Sequence, residues 1–291
     1  KNILYANNEI FNIPYNIKFY DDKEEKKLFS ILDLNFLKLK INNQYDYSGK
    51  IKNGVSNFSY NKLKSNIIYE IKKNFFEYEI FEKANEPNFY YNGKFHFKPF
   101  YSSLNGNTQD LNLSYLLGSN ALLTQLLKTE IFNNKNIDFQ LNIVAKNLQY
   151  NSSINNLNIN SKIQEGLIDV DNTKFKWKNF AEFKLVDSLI YVKDGELLLD
   201  GKLEVNINNY NEIYKFLLTP KNFRKKINKL DFNFTYNFDQ KLANFEDIKV
   251  DEIIDENLNN IFRNIVLKKD KLKNKIYFRN LLNEAIKGYF G

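Results

Sequence analysis

The most constraining feature of this sequence is an alternation of apolar and polar side chains that persists between Ile137 and Val250. Apolar residues occupy every second position in successive segments, and the positions between them are mostly Asn, Lys, Asp or Ser. Because neighbouring side chains of a β-strand point to opposite faces, this period builds a sheet with one apolar and one polar face. The alternation therefore predicts a mainly β protein.

Length and composition allow a substantial core. The chain has 291 residues, enough for one large β domain or two ordinary ones, and 43% of them are hydrophobic. It contains no Cys, so disulfides and thiolate sites are excluded. The chain begins with Lys1, from which we expect a processed chain or a fragment whose signal or anchor preceded Lys1. It has no run of about 18 apolar residues, the length that predicts a membrane span.

The net charge of +7 is spread along the chain, apart from two lysine-rich segments at 221–226 and 268–275. Both segments have a helical or linker pattern, which favours a solvated helix surface. Contact with anionic lipid headgroups and contact with nucleic acid are the alternatives. The sequence contains no recognised nucleic-acid-binding motif, so we predict no nucleic-acid partner.

The pattern divides the chain into three parts. Residues 1–94 have less regular strands, residues 95–250 carry the alternation with helical inserts, and residues 251–291 form an amphipathic helical tail. In the first part, Asn53-Gly54 and Asn92-Gly93 predict hairpin turns, because both residue types tolerate positive φ. An antiparallel meander is the simplest topology for such strands.

Three segments have a helical period. Leucines recur at helical spacing over 116–131, and a second helical pair is predicted over 210–227. Two further apolar stripes lie within 251–291. We interpret these stripes as faces that pack on the sheet, with helices lying on a membrane surface as the alternative.

The most specific local prediction is a hairpin at Lys193-Asp194-Gly195-Glu196. A two-residue Asp-Gly turn places Lys193 opposite Glu196 as an oppositely charged cross-strand pair. The same register pairs Val192 with Leu197 and Ile190 with Leu199. A bulge or break near Asp187-Ser188 is then required to keep the preceding apolar residues on the same face.

The order of these elements resembles the C-terminal region of the AsmA-like family. The resemblance rests on the strands "DSLIYVKDGELLLDGKLEVNINN", a helical insert, and "LDFNFTYNFDQKLANFEDIKVD". It implies a long, curved antiparallel sheet that forms an open β-groove, with short amphipathic helices and a helical C-terminus. It also implies a periplasmic protein of the Gram-negative envelope, anchored to the inner membrane by a segment that precedes Lys1.

The expected function is therefore non-enzymatic binding or conduction of lipid, in outer-membrane biogenesis or envelope lipid transport. The partner would be a phospholipid or another acyl-chain lipid, with envelope proteins as further partners. The candidate lipid-binding residues are apolar side chains of the alternating strands: Leu141, Ile143, Leu157, Ile159, Ile163, Leu197, Leu199, Leu203, Val205, Phe232 and Phe234. The alternatives are a closed core beneath this face, and a structural or adhesive β module that binds a protein partner at a sheet edge.

We predict no catalytic residue, cofactor or metal site. The single histidine, His96, lies between Phe95 and Phe97 and is expected on the polar face. The glycines form neither a GxGxxG pattern nor a P-loop. Asp169 and Asp171 have the spacing of a Ca²⁺ or acid pair, but solvation at a strand edge is the explanation that we prefer.

Overall fold

In a computed structural model of the protein, the chain forms two compact units. The first unit comprises Lys1–Asp110, Asn120–Val144 and Lys162–Gly166, and the second comprises Leu111–Ser119, Ala145–Ser161 and Leu167–Gly291. The three-part division at 94 and 250 stays a prediction. The structure describes residues 2–10, 13–60, 63–82, 88–98, 100–118, 121–129, 131–134, 136–149, 151–263, 267–268 and 275–290. Most of the lysine-rich segment at 268–275 lies outside these ranges.

The first unit is an antiparallel meander. Its strands are β1 (Asn2–Ile10), β2 (Ile13–Asp22), β3 (Lys27–Leu34), β4 (Leu39–Asp46), β5 (Lys52–Tyr60), β6 (Leu63–Ile71), β7 (Phe75–Phe81), β8 (Phe89–Phe97), β9 (Phe100–Leu111, of which Leu111 belongs to the second unit) and β10 (Asp138–Leu148, of which 145–148 belong to the second unit). Each strand from β1 to β8 pairs with the next, and β10 pairs with β9. Short loops join most of these strands, which makes antiparallel neighbours the natural arrangement.

The register places the longest run of neighbouring apolar side chains of this meander on one face. Ile41, Phe58, Tyr78 and Phe95 share that face with their cross-strand neighbours, and we call it the aromatic face. Lys, Asn and Glu side chains dominate the opposite face, which we call the polar face. The alternation that begins at Ile137 therefore extends, less regularly, through the N-terminal strands.

A short helix covers one end of the aromatic face. The predicted leucine-rich helix is observed as α1 (Ser114–Leu117) and α2 (Leu122–Lys128), followed by a 3₁₀ turn at Ile131–Asn133. Leu122 and Leu126 of α2 pack on a cluster of buried side chains: Ile13, Leu37, Leu39 and Tyr60. The prediction that this helix lies on the sheet is confirmed for α2.

The two predicted Asn-Gly turns are wrong. Gly54 lies inside β5 and Gly93 lies inside β8, in register with Tyr69 and Tyr78 respectively. A Cβ atom at either position would collide with the ring of its partner tyrosine. These glycines are thus required for the close approach of a ring to the backbone, and not for a turn.

The second unit is also antiparallel. Its strands are β11 (Asn151–Gln164, of which 162–164 belong to the first unit), β12 (Leu167–Asp169), β13 (Lys174–Trp177), β14 (Ala181–Lys193), β15 (Glu196–Ile207), β16 (Lys229–Asn237), β17 (Leu242–Val250), β18 (Ile253–Ile254) and β19 (Leu267–Lys268). Strands β13 to β17 pair in sequence, and β17 also pairs with the short β18 and β19. The helices are α1, α3 (Tyr210–Leu217), α4 (Glu256–Arg263) and α5 (Lys275–Phe290). The mainly β fold with antiparallel strands, short helices and a helical C-terminus is confirmed.

The predicted β14–β15 hairpin is confirmed in detail. Three cross-strand pairs have the expected register: Lys193 with Glu196, Val192 with Leu197, and Ile190 with Leu199. Asp194 and Gly195 have φ values of 52° and 77°, as a two-residue turn of this type requires. The register shifts between Val186 and Leu189. This is the bulge predicted from the change in apolar alternation near Asp187-Ser188.

Helices of the second unit are held together by specific polar contacts. Helix α3 ends at Leu217, and the expected second helix of the 210–227 pair is only a 3₁₀ turn at Lys221–Phe223. The Thr219 hydroxyl, between α3 and this turn, donates to Asn283 Oδ1 of α5 at 2.6 Å. Asn283 Nδ2 in turn donates to the Leu217 carbonyl at 2.6 Å, which satisfies one of the free carbonyls at the end of α3.

We expect Tyr214→Phe to lower the free energy of unfolding at pH 7 by about 1 kcal/mol. Tyr214 is buried, and its hydroxyl donates to the Lys225 carbonyl at 2.6 Å. Burial, with smaller contributions from Tyr210 and Tyr289, raises the pKa of Tyr214 from 10.0 to about 12. The folded state therefore resists ionisation, and the stability that this provides is present below pH 10 and lost as pH rises from 10 to 12. Denaturant unfolding at several pH values should show that the variant loses less stability than wild type as pH rises from 10 to 12. Equal losses of stability in the two proteins would contradict the raised pKa of Tyr214.

Candidate functional site

The predicted lipid-binding residues divide into buried and half-buried side chains. Three belong to the first unit and eight to the second. The buried ones are Leu141, Ile143, Leu157, Ile163, Leu197 and Val205. The half-buried ones are Ile159, Leu199, Leu203, Phe232 and Phe234. The fully buried side chains belong to packed interior, so they are poorly placed to contact a ligand in this conformation.

In the second unit, helices cover the apolar side of β16 and β17. Leu258 of α4 and Ala285 of α5 form a core cluster with Ile248 and Val250, and Phe232 packs against it. A neighbouring cluster joins Leu281 of α5 to Ala243 of β17. Here the structure matches the helix-covered core that the sequence left open as an alternative to the groove.

The first unit presents a different surface on its aromatic face. Six rings on β6 to β9 lie within contact distance of one another, and we call them the aromatic cluster: Tyr69, Phe76, Tyr78, Phe95, Phe97 and Phe100. The Phe76 and Phe95 rings stack with centroids 5.0 Å apart, and Phe100 meets Phe95 edge-on at 4.5 Å. All six remain partly accessible, and Phe97 is 45% exposed. These rings thus form a contiguous apolar surface that is partly accessible to solvent.

Glycines allow three tyrosine rings of this face to lie close to the sheet. Tyr69 is opposite Gly54, Tyr78 is opposite Gly93, and Tyr91 is opposite Gly106. In each pair the ring occupies the space that a Cβ atom of the glycine would need. Burial raises the pKa of all three tyrosines, so they remain neutral over the physiological range.

A polar cluster interrupts the aromatic face near the middle of β3 to β6. It consists of Ser30, Asn43, Ser56 and Tyr69, and we call it the Asn43 cluster. Asn43 Oδ1 accepts hydrogen bonds from the Ser56 hydroxyl at 2.6 Å and from the Tyr69 hydroxyl at 2.7 Å. Asn43 Nδ2 donates to Ser30 Oγ at 3.5 Å, a long and weak hydrogen bond.

The polar face carries ion pairs beside a few stacked rings. Glu77 is in register with Lys94 and forms ion pairs with both Lys94, at 2.7 Å, and Lys72. Hydrogen bonds from Lys72 and Lys94 lower the pKa of Glu77 from 4.5 to about 2. His96 lies on this face as expected, where its ring stacks on Phe75 at 5.0 Å. This arrangement suits a solvated surface.

Within the described ranges, no group of three or more His, Cys, Asp or Glu side chains is arranged to hold a metal ion. None of the described helices combines the length and apolar character needed to cross a bilayer. Asp169 and Asp171 have local roles: the Asp171 N–H donates to Asp169 Oδ1 at 2.8 Å, and Asp171 Oδ1 accepts from the Ser188 N–H at 2.6 Å.

Comparisons with family models, with curated proteins and with solved structures find no match to this chain. The resemblance to the AsmA-like family, and the compartment that it implies, stay predictions from the sequence. We did not predict the aromatic face from the sequence, because residues 1–94 show only an irregular strand pattern. Its signal lies in the aromatic residues and glycines of "FYYNGKFHFKPFYSSLNG".

Proposed function

We propose that this protein binds or conducts an acyl-chain lipid, with the aromatic face of the first unit as the contact surface. The observation that carries the proposal is the aromatic cluster, whose six contiguous rings stay partly accessible. The opposite end of the same face has a buried core beneath α2. Following the resemblance, the lipid is a phospholipid or related envelope lipid, and the setting is the periplasm of a Gram-negative cell.

The energetics favour such a surface. Transfer of a single acyl chain of about 15 methylenes into water costs roughly 12 kcal/mol of free energy, at about 0.8 kcal/mol for each methylene. Register places Ile71 opposite Lys52 at one end of β5, whereas Tyr60 lies near α2 at the other end. Eight residues of strand separate these ends, about 26 Å at about 3.3 Å per residue. The face is thus long enough to cover much of a chain that lies along the strands.

A pair of substitutions on β8 tests the proposal. Phe97 and Tyr90 are 45% and 36% exposed and lie on opposite faces of the same strand. We expect Phe97→Asp to lower the amount of co-purified lipid about tenfold or more, because a carboxylate against an acyl chain loses its hydration. Tyr90→Asp on the polar face is the matched control and should carry as much lipid as wild type.

The measurement is mass spectrometry of lipids that remain with protein purified from a bacterial envelope, with circular dichroism to verify folding. Stoichiometric lipid in wild type and in Tyr90→Asp, but not in Phe97→Asp, would support the proposal. A stable wild-type protein free of lipid would contradict it. Equal loss in both variants would show that the aromatic face has no special role.

A second candidate function is binding of a protein partner at the strand β1. Three consecutive side chains of β1 are exposed and alternate between the two faces of the sheet, with Ile3, Leu4 and Tyr5 at 52%, 59% and 68%. This strand pairs with β2 along its length. An exposed apolar strand edge is a template for strand addition. A lipid-free protein would favour this structural or adhesive role.

A further inference from the structure

We infer that the Asn43 cluster anchors the uncharged carbonyl oxygen of an acyl ester, whose chain then extends toward the aromatic cluster. This inference deepens the proposed function and rests on it. It assigns the ligand a chemical class, a neutral ester lipid, and gives the ligand a direction along the aromatic face.

The hydrogen-bond pattern of Asn43 leaves a donor for a ligand. Its Oδ1 accepts from two hydroxyls, so the Nδ2 group is the side that remains for a further acceptor. Of the two Nδ2 hydrogens, one makes the 3.5 Å hydrogen bond to Ser30, and the other has no partner among the described residues. Asn43 and Ser30 are both half-buried, so a ligand can reach them. A carbonyl oxygen is an acceptor that can satisfy such an N–H donor on an apolar face.

The surroundings of this donor carry no charge. The neighbours of Asn43 on the aromatic face are Leu28, Leu32, Ile41, Tyr45, Gly54 and Phe58, all of which are uncharged. A phosphate or carboxylate at this position would lack the cationic partner that compensates the desolvation of an anion. The site therefore favours an ester carbonyl over an ionised group.

The Asn43 cluster lies within the length of one acyl chain from the aromatic rings. One cross-strand row of the aromatic face contains Asn43, Ser56 and Ile67, which are in register on neighbouring strands. A second row contains Ile71 and Phe76, which are also in register. Four residues of β6 separate the two rows, about 13 Å at about 3.3 Å per residue, and β4 and β7 are three strands apart, about 14 Å at about 4.8 Å per strand. Asn43 and Phe76 are thus about 19 Å apart. An ester anchored at Asn43 thus places its acyl chain across Tyr69 and onto the rings of Phe76 and Phe95.

Three probes with the same 18-carbon chain test the inference: 1-monoolein, its ether analogue 1-O-oleyl glycerol, and oleate, each titrated calorimetrically into the full chain below its aggregation concentration. We expect wild type to bind the ester about fivefold to tenfold more tightly than the ether, the value of one hydrogen bond. Oleate should bind no more tightly than the ester. In Asn43→Leu the ester preference should disappear while affinity for the ether stays within about twofold.

Asn42→Leu is the matched control, since Asn42 is exposed on the polar face of the same strand. It should keep the ester preference. If Asn43→Leu does not fold, two other results test the inference: the ratio of ester to ether affinity in wild type, and the same ratio in Ser30→Ala. We expect Ser30→Ala to reduce the preference for the ester. Equal affinity of wild type for ester and ether, or tighter binding of oleate, would overturn the inference and leave the proposed function standing. Failure of all three probes to bind would instead contradict the proposed function.

Discussion

Replacing Gly93 with alanine is expected to lower the free energy of unfolding by about 3 kcal/mol, at the upper end of ordinary overpacking. A Cβ atom at this position would lie 2.6 Å from Tyr78 Oη and would also collide with the backbone carbonyl of Ser103. The Tyr78 hydroxyl donates to that carbonyl at 3.1 Å, so the ring cannot move away without losing a hydrogen bond. The backbone of β9 would have to shift, which disturbs its pairing with β8.

Chemical denaturation followed by circular dichroism measures the effect. Gly49→Ala is the matched control, because Gly49 lies in the connection between β4 and β5 of the same unit and its nearest obstruction is 3.3 Å away. The control should change stability by less than about 0.5 kcal/mol. Equal stability of Gly93→Ala and wild type would show that the tyrosine does not pack on the glycine as the structure indicates.

Leu197→Ala is the second substitution with a large expected effect, a loss of about 3 kcal/mol in the free energy of unfolding. Leu197 is among the predicted lipid-binding residues, yet its side chain is 0% exposed. Truncation would leave a cavity in the second unit, so the effect should appear in stability and not in ligand affinity. Denaturant unfolding of the variant tests this directly.

Leu167→Ala provides the comparison, since Leu167 is 45% exposed in the same unit and should lose less than about 0.5 kcal/mol. The opposite outcome for Leu197→Ala is also informative. Unchanged stability combined with loss of bound lipid would mean that Leu197 lines an open groove, and the packed arrangement around it would then be wrong.

Local patterns predicted local structure well. The β14–β15 turn, its register and its bulge all followed from the Asp-Gly dipeptide and the parity of the flanking apolar residues. These features depend on neighbours a few residues apart, so a sequence contains nearly all of the relevant information. The helices at 256–263 and 275–290 followed from their apolar stripes for the same reason.

The errors concern residues whose role depends on a distant partner. Asn-Gly dipeptides favour turns, but Gly54 and Gly93 sit in mid-strand because Tyr69 and Tyr78 need the space above them. Likewise, the second helix predicted within 210–227 is only a short turn, and the Thr219 hydroxyl just before it bonds to Asn283, which lies 64 residues further along the chain. Tertiary contacts of this kind override local preference.

The sequence by itself determined that the chain is mainly β, where most strands run, and that each sheet surface has an apolar and a polar side. The two-residue period of a strand makes these properties local. Only the tertiary structure decided which parts of the apolar surface are covered. Helices α4 and α5 pack on β16 and β17, whereas the rings of the aromatic cluster stay partly accessible. Coverage depends on contacts between segments far apart in the chain, and alternation alone carries no information about them.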